Sequence, residues 1–115
     1  YLASACYGAN IMHEVKRVEI VSDSVELAKI VAALEKSGVS SYTILRNVAG
    51  RIPGSMNSDD LAITTLDNVY LIAFCQPDQI KSVLETIRPI LNKFGGVCYL
   101  SDAMEIRSTR CVASL

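Results

Sequence analysis

The chain carries a cluster of residues suited to anion binding at the start of a long segment without periodicity. Arg46, Asn47, Gly50 and Arg51 lie within six positions of one another, and guanidinium groups and backbone N–H groups both bind small anions. The segment 49–67 is long for a connection inside a compact domain, and such loops are commonly functional or disordered. Two interpretations stand at this point: an anion site at the root of a functional loop, or an arginine covering a sheet edge beside a glycine that only turns the chain.

Residue types used in catalysis and metal binding are present without the arrangement that either chemistry needs. His13, the single histidine, has no nucleophile or carboxylate placed to complete a triad. Asp59 and Asp60 are adjacent carboxylates in the unpatterned segment, a weak signal for a divalent cation. No C-x-x-C spacing suggests zinc, and the glycine motifs of phosphate loops and dinucleotide folds are missing. We predict no catalytic residue, no metal site and no catalytic cofactor.

Size and charge narrow the function classes further. The chain has 115 residues and a mass of 12.5 kDa, enough for one domain with a real core. A net charge of −1 without any basic run makes nucleic acid a poor partner. Half of the residues are hydrophobic, yet no apolar stretch approaches the roughly 20 residues of a membrane span. These features favour an oligomer-forming domain that hides apolar surface between copies.

The cysteines and the N-terminal residues indicate the cellular compartment of the protein and the extent of its domain. Cys75 and Cys98 lie in apolar, strand-like runs, where a thiol behaves as a small hydrophobe. Cys111 has no second cysteine near it in the sequence and is interpreted as an ordinary exposed thiol. We therefore predict reduced cysteines and a cytoplasmic location. Residues 1–14 lack a basic n-region and are interpreted as an N-terminal arm, with His13 in a loop, and residues 15–115 as one domain.

Hydrophobic periodicity predicts six elements to position these residues. The first helix begins at a capping box of Asp23 and Glu26 and ends at Gly38. The second begins at Pro77, contains a kink at Pro89, and ends at Gly95-Gly96. The predicted strands are short apolar runs: Val15–Val21, Tyr42–Val48, Val69–Cys75 and Val97–Ile106.

The order β-α-β-β-α-β predicts an α+β domain of the ferredoxin-like type. Such a domain has a four-stranded antiparallel sheet with both helices on one face. Three of the predicted strands are apolar at consecutive positions, such as Ile44-Leu45 and Leu71–Phe74. Both faces of the sheet should therefore need burial. A homo-oligomer that packs sheets against one another satisfies this requirement.

Three features lie at comparable places in the predicted elements: Gly38–Leu45 after the first helix, the long loop after the second strand, and Gly95-Gly96 before the fourth strand. Together they resemble the PII signal-transduction superfamily. More narrowly, a set of short segments looks like its carboxysome-associated PII-like branch: Tyr42-Thr43, Arg46–Arg51, Asp59–Leu61, Arg88-Pro89, Phe94–Cys98 and Ser101–Ala103. The resemblance spans about Val15 to Ile106.

The resemblance implies a homotrimer whose three sheets face one another, with an adenine nucleotide in each cleft between subunits. By the same resemblance the nucleotide contacts are Val21 and Thr43 beside the base, Gly50 and Arg51 beside the phosphates, the Gly95-Gly96-Val97 turn around them, and Arg107 or Arg110 from the C-terminal segment.

The sequence departs from nitrogen-regulatory members of the superfamily in its cations. Val97 stands where those members place a phosphate-binding lysine, and their closely spaced arginine pair is loosened to Arg107 and Arg110. Because each charge-assisted contact is worth roughly 1.5 to 3 kcal/mol, a triphosphate should bind at least tenfold more weakly. We expect AMP or ADP to be preferred over ATP.

The resemblance to the carboxysome-associated branch implies a sensor of inorganic carbon. By that resemblance, bicarbonate is bound by Arg46, Asn47, Gly50 and Arg51. The resulting hypothesis is a non-enzymatic signalling protein for carbon fixation that senses ADP or AMP with bicarbonate. Its protein target, such as a bicarbonate transporter or a carboxysome component, is not identified by the sequence. Two alternatives stay open: a PII-like regulator of a transporter that senses another ligand such as cyclic AMP, and a small ferredoxin-fold enzyme that uses His13 or the loop carboxylates.

Overall fold

A computed structural model describes residues 11–39, 41–50 and 67–107 and contains the predicted α+β fold. A short 3-10 turn precedes each helix, Ser24–Glu26 before the first and Pro77–Gln79 before the second. The elements follow in the order β1 (Ile11–Asp23), α1 (Leu27–Lys36), β2 (Tyr42–Val48), β3 (Asn68–Cys75), α2 (Ile80–Phe94) and β4 (Val97–Arg107). The order, the four strands and the two helices are confirmed.

The four strands form one antiparallel sheet in the order β2-β3-β1-β4. The central strand β1 pairs with β3 from Lys16 to Asp23 and with β4 from Ile11 to Val21. On the N-terminal side of Lys16, β1 pairs only with β4, from Val15 opposite Ala103 to Ile11 opposite Arg107. We call this two-stranded extension of the sheet the ribbon.

The ribbon corrects the predicted start of β1. The strand begins at Ile11 and not at Val15, so residues 11–14 belong to the sheet although they were assigned to the arm. His13 was predicted in a loop, but it lies on β1 opposite Glu105, with its Nε2 atom 2.8 Å from the Oε1 atom. The prediction was wrong because pairing with β4 at the other end of the chain, and not local periodicity, makes these residues a strand.

The core lies between the helices and one face of the sheet. Along β3 the side chains alternate: Val69, Leu71 and Ala73 are each 1% exposed, whereas Phe74 is 48% exposed. This is the period of two expected when one face of a strand is covered. The residues that build the core from the other elements include Val18, Ile20, Ile30, Leu34, Val83 and Ile87.

The helix ends follow the sequence signals with one exception. Asp23 Oδ1 accepts a hydrogen bond from the Val25 N–H at 3.1 Å, as an N-cap should. The return bond of the predicted capping box is not formed, and the Glu26 carboxylate accepts a hydrogen bond from Lys29 Nζ at 3.1 Å. Gly38, at φ +89°, ends the first helix as predicted. Helix α2 continues through Pro89 to Phe94.

The face of the sheet opposite the helices is uncovered in the single chain. Leu45, Phe74 and Tyr99 are about half exposed on it, at 49%, 48% and 56%. At its centre the Tyr70 hydroxyl donates a hydrogen bond to Glu19, and Arg17 Nε lies 3.2 Å from Glu19 Oε1. We call this side the open face. No helix among the described residues combines the length and apolarity needed to cross a membrane.

Candidate functional site

Predicted binding residues from distant parts of the chain meet at one end of the sheet. Val21, near the end of β1, is the register partner of both Tyr70 on β3 and Val97 at the start of β4. Gly95 and Gly96 precede Val97 and connect α2 to β4. The structure therefore brings Val21 and the glycine turn together.

Gly96 packs so closely against β1 that no other residue fits without displacement. Its φ is +119°, and a Cβ atom there would lie 3.0 Å from the Val21 carbonyl oxygen and 3.0 Å from Leu91 Cδ2. Gly95, at φ +85°, ends α2 and donates its N–H to the Leu91 carbonyl at 2.8 Å. The glycines thus have a packing role that the sequence analysis did not consider. Their contact with the nucleotide phosphates stays a prediction.

The start of the long loop, residues 46–50, which we call the loop root, is hydrogen-bonded to the same end of the sheet. Asn68, the first residue of β3, donates from Nδ2 to the Gly50 carbonyl at 3.0 Å and is only 9% exposed. The pairing of β2 with β3 is irregular between Leu45 and Val48, and Asn47 there adopts φ +60°. Asparagine tolerates this left-handed conformation better than most residues, and such conformations are enriched at functional sites. Sequence reasoning missed Asn68, because an asparagine before an apolar run only suggests where a strand begins.

Arg46 faces a groove between β2 and α1 on the helix side of the sheet. The groove has a volume of about 510 Å³, which is within the range of small-molecule sites. Across it the Tyr42 hydroxyl donates to Glu35 Oε2 at 3.1 Å, and this hydrogen bond raises the pKa of Tyr42. Its lining combines apolar and polar side chains: Ser24, Val25, Leu27, Ala28, Val31, Ala32, Glu35, Tyr42, Ile44 and Arg46.

Two lysines that the sequence analysis did not select lie beside the glycine turn. Lys29 Nζ is 3.8 Å from the centre of the Phe94 ring, and Lys93 Nζ is 5.3 Å from it. Phe94 is the residue before Gly95, so both ammonium groups lie near the start of the turn. Lys29 belongs to α1, and its approach depends on the packing of two helices, for which the sequence carries no local signal.

Other predicted residues are not gathered at this end. Thr43 is exposed on β2 opposite Ile72, two strands away from β1. Arg107 ends β4, ten residues from Val97, and at about 3.3 Å per residue the two are roughly 33 Å apart. Arg107 can therefore approach a glycine turn only in another copy of the chain. Arg51 and Arg110 lie outside the described residues, as do Asp59 and Asp60.

The described residues contain no group of three or more His, Cys, Asp or Glu side chains placed to hold a metal ion. The His13–Glu105 pair stands on the ribbon, near the end of the sheet opposite the glycine turn. The glycine end holds positively charged lysine side chains near the turn, and such cations attract anionic ligands.

Comparisons with known proteins agree with this reading of the fold. The family model described as nitrogen regulatory protein P-II matches residues 15–110. Among solved structures, CPII of Thiomonas intermedia bound to ADP and bicarbonate has 23% identity and a TM-score of 0.71, with 86% of this chain and 95% of that chain covered. Its apo form has the same identity and TM-score, with 86% and 99% covered. A PII-like signaling protein of Thermus thermophilus has 18% identity and a TM-score of 0.65, with 84% and 93% covered. No curated protein matches the chain.

Proposed function

The chain belongs to the nitrogen regulatory protein P-II family, and from that premise we propose that it is a non-enzymatic regulator that binds ADP or AMP together with bicarbonate. The observation that carries the proposal is the meeting of Val21, the glycine turn and the root of the long loop at one end of the sheet. The solved structure of CPII with ADP and bicarbonate supports the choice of ligands.

The active form in this proposal is a homotrimer with each nucleotide between two subunits. One chain holds the glycine turn and the loop root at one end of its sheet and Arg107 at the other. In the proposed trimer, the glycine turn of one copy and Arg107 of a neighbouring copy line the same cleft. Arg107 then adds its charge to the cations that bind the nucleotide phosphates. The half-exposed apolar side chains of the open face supply the surface that three copies bury.

The few cations at the glycine end favour a mono- or diphosphate. Val97 supplies no charge, Lys29 already pairs with Glu26, and Lys93 lies over the Phe94 ring. Arg51 and one of Arg107 or Arg110 are then the cations proposed to bind the phosphates. Two charge-assisted contacts suit AMP or ADP better than ATP.

Bicarbonate is proposed to bind at the loop root, through Arg46, Asn47, Gly50 and Arg51. Asn47 lies in the irregular part of β2 between Leu45 and Val48, and Gly50 follows the end of that strand. A planar anion there would give those donors a partner and order the loop. Nucleotide and bicarbonate should then strengthen each other's binding by the same factor.

We place this regulator in inorganic carbon assimilation in the cytoplasm, in the carboxysome-associated branch of the family. Its long loop is the segment proposed to report the bound ligands to a protein target, such as a bicarbonate transporter or a carboxysome component. The described part of the loop, its root, is anchored by the hydrogen bond between Asn68 and Gly50. Ligand binding at the root is therefore positioned to change the loop's conformation.

Thermal unfolding with AMP, ADP, ATP and cyclic AMP, each with and without bicarbonate at fixed pH and ionic strength, tests the proposal. A ligand that binds the folded state must raise the midpoint, and at 100 times its Kd the stabilisation is about 2.7 kcal/mol. We expect ADP and AMP to raise the midpoint more than ATP does, and bicarbonate to enlarge the rise. A rise with cyclic AMP alone would favour the regulator of another ligand, and no rise with any nucleotide would refute the proposal.

The variant Arg51→Ala sharpens this test. We expect it to lose most of the midpoint rise with ADP, because one phosphate contact is worth about 1.5 to 3 kcal/mol. Lys81→Ala, which removes an exposed cation from α2, is the matched control and should keep the full rise. An equal response of both variants to ADP would show that Arg51 is not a phosphate ligand.

A further inference from the structure

The glycine turn is contacted from two sides by elements that lie far from it in the sequence. On one side Gly96 packs against β1, where a Cβ atom would lie 3.0 Å from the Val21 carbonyl oxygen. On the other side Phe94, the last residue of α2, lies under the ammonium group of Lys29 from α1, with the Nζ atom 3.8 Å from the ring centre. The turn is therefore held between a strand and a helix.

A buried carboxylate keeps Lys29 in this position. Glu26, in the 3-10 turn before α1, is only 7% exposed, and its Oε2 atom accepts a hydrogen bond from Lys29 Nζ at 3.1 Å. Burying a carboxylate without a partner costs free energy, so Glu26 favours the conformation in which the ammonium group stays beside it. Residues three apart on a helix are neighbours, and the pair thus fixes the direction of a long side chain.

The segment that carries this pair also holds the end of the long loop. The Ser24 N–H donates a hydrogen bond to the Asp67 carbonyl at 2.7 Å, and Asp67 is the residue before β3. Asn68, next in the chain, binds the Gly50 carbonyl at the loop root. The segment from Ser24 to Lys29 therefore contacts the long loop on one side and, through the aromatic ring, the glycine turn on the other.

We infer, on the basis of the proposed function that places the phosphates at this turn, that Lys29 is a positioning residue for the nucleotide. Glycines have more backbone freedom than other residues, so contacts from neighbouring elements decide which conformation Gly95 and Gly96 keep. Lys29 acts through the Phe94 ring and not on the phosphate, because its ammonium group is already shared between that ring and Glu26.

Lys93 approaches the same ring but does not connect it to a second element. Its Nζ atom is 5.3 Å from the ring centre, and Lys93 directly precedes Phe94 on α2. Because Lys93 moves with the ring, it cannot hold the end of α2 in place. Lys29 can, since it belongs to α1.

The test measures the Kd of ADP for the full chain by isothermal titration calorimetry at fixed ionic strength. Lys29→Met keeps a long apolar side chain and removes the ammonium group. We expect it to bind ADP about two- to fivefold more weakly, the range of an exposed cation–π contact. Lys29→Arg keeps a cation that can lie over the ring and bind Glu26, and should retain the parent Kd. Lys36→Met removes one charge from the last turn of α1 and is the matched control, with an unchanged Kd.

Phe94→Leu separates positioning from direct contact with phosphate, because it removes the ring and keeps the charge of Lys29. We expect it to weaken ADP binding as much as Lys29→Met does. The double variant should lose no more than either single variant, since both substitutions remove the same contact. A direct contact between Lys29 and phosphate would instead leave Phe94→Leu with the parent Kd.

Amide hydrogen exchange followed by NMR gives a readout without nucleotide. The Gly95 N–H donates to the Leu91 carbonyl at 2.8 Å, and loss of the contact with Lys29 should loosen this end of α2. We expect Gly95 to exchange faster in Lys29→Met and Phe94→Leu than in the parent or Lys29→Arg. If the parent bound no nucleotide, the proposed function would fail, while this difference would still show that Lys29 holds the turn.

Four outcomes would overturn the inference. They are an unchanged ADP Kd in Lys29→Met, a parent Kd in Phe94→Leu, an equal loss in Lys36→Met, and the same Gly95 exchange rate in all variants. Because the substituted side chains are exposed, we expect each variant to fold, and unchanged far-ultraviolet circular dichroism checks this.

Discussion

At the scale of single residues, the hydrogen bond from Tyr70 to Glu19 gives the open face a pH-dependent contact. The bond to the carboxylate is the largest cause of the raised pKa of Tyr70, burial adds to it, and the nearby Arg17 opposes it. The folded protein therefore holds the phenolic proton more tightly than the unfolded chain. The resulting stabilisation is complete below the ordinary tyrosine pKa of about 10 and is lost as the pH rises through the higher folded value.

We predict that Tyr70→Phe reduces the loss of stability between pH 9 and about 11. Urea unfolding midpoints of the variant and the parent across this range measure the effect. Tyr42 and Lys16 also have raised pKa values, so part of the alkaline loss remains in the variant. If Tyr70→Phe and the parent lose stability in parallel, the bond does not contribute.

Individual side-chain contacts were the feature of the structure that the sequence predicted least well. Sequence reasoning selected Gly50 and Gly96 as nucleotide contacts through the family resemblance, and the structure places both at the same end of the sheet. It did not find Asn68 or Lys29, since their partners Gly50 and Phe94 are distant in sequence. A side chain that acts through a tertiary contact leaves no periodic or spacing signal.

At the scale of elements, the turn between α2 and β4 depends on the missing side chain of Gly96. A Cβ atom would press on the Val21 carbonyl and Leu91, and φ +119° is unfavourable for any other residue. We predict that Gly96→Ala lowers the free energy of unfolding by about 1 to 3 kcal/mol. Denaturant unfolding measures this loss. Gly50→Ala, where a Cβ atom would meet nothing within 4 Å, should lose less, and equal losses would contradict the packing argument.

The elements themselves were largely predictable. Tyr42–Val48 was predicted with its observed bounds, and Gly38 and Gly95 end the helices as expected. The differences lie where long-range contacts decide. Residues 11–14 become a strand by pairing with β4, and Glu26 binds Lys29 in place of closing the capping box.

At the scale of the whole molecule, the predicted binding residues divide between two ends of one sheet. The family resemblance assigned Arg107 and the glycine turn to one ligand. It could not show that β4, in which Arg107 follows Val97 by ten residues, keeps the two roughly 33 Å apart within a single chain. In the proposed site, that separation makes oligomer formation a condition for nucleotide binding. Assembly and ligand binding should therefore fail together.

Replacing Phe74 with lysine separates assembly from folding. Phe74 is 48% exposed on the open face and pairs in register with Arg17, so a lysine there places like charges together at the centre of any contact between sheets. We predict that Phe74→Lys is monomeric by light scattering, keeps its secondary structure, and loses the ADP-dependent rise in unfolding midpoint. Ser82→Lys, on the exposed side of α2, adds the same charge away from the sheet and should remain trimeric with its ADP response intact. If Phe74→Lys were monomeric and still stabilised by ADP, the nucleotide would bind within one chain, and Arg107 would have no part in holding it.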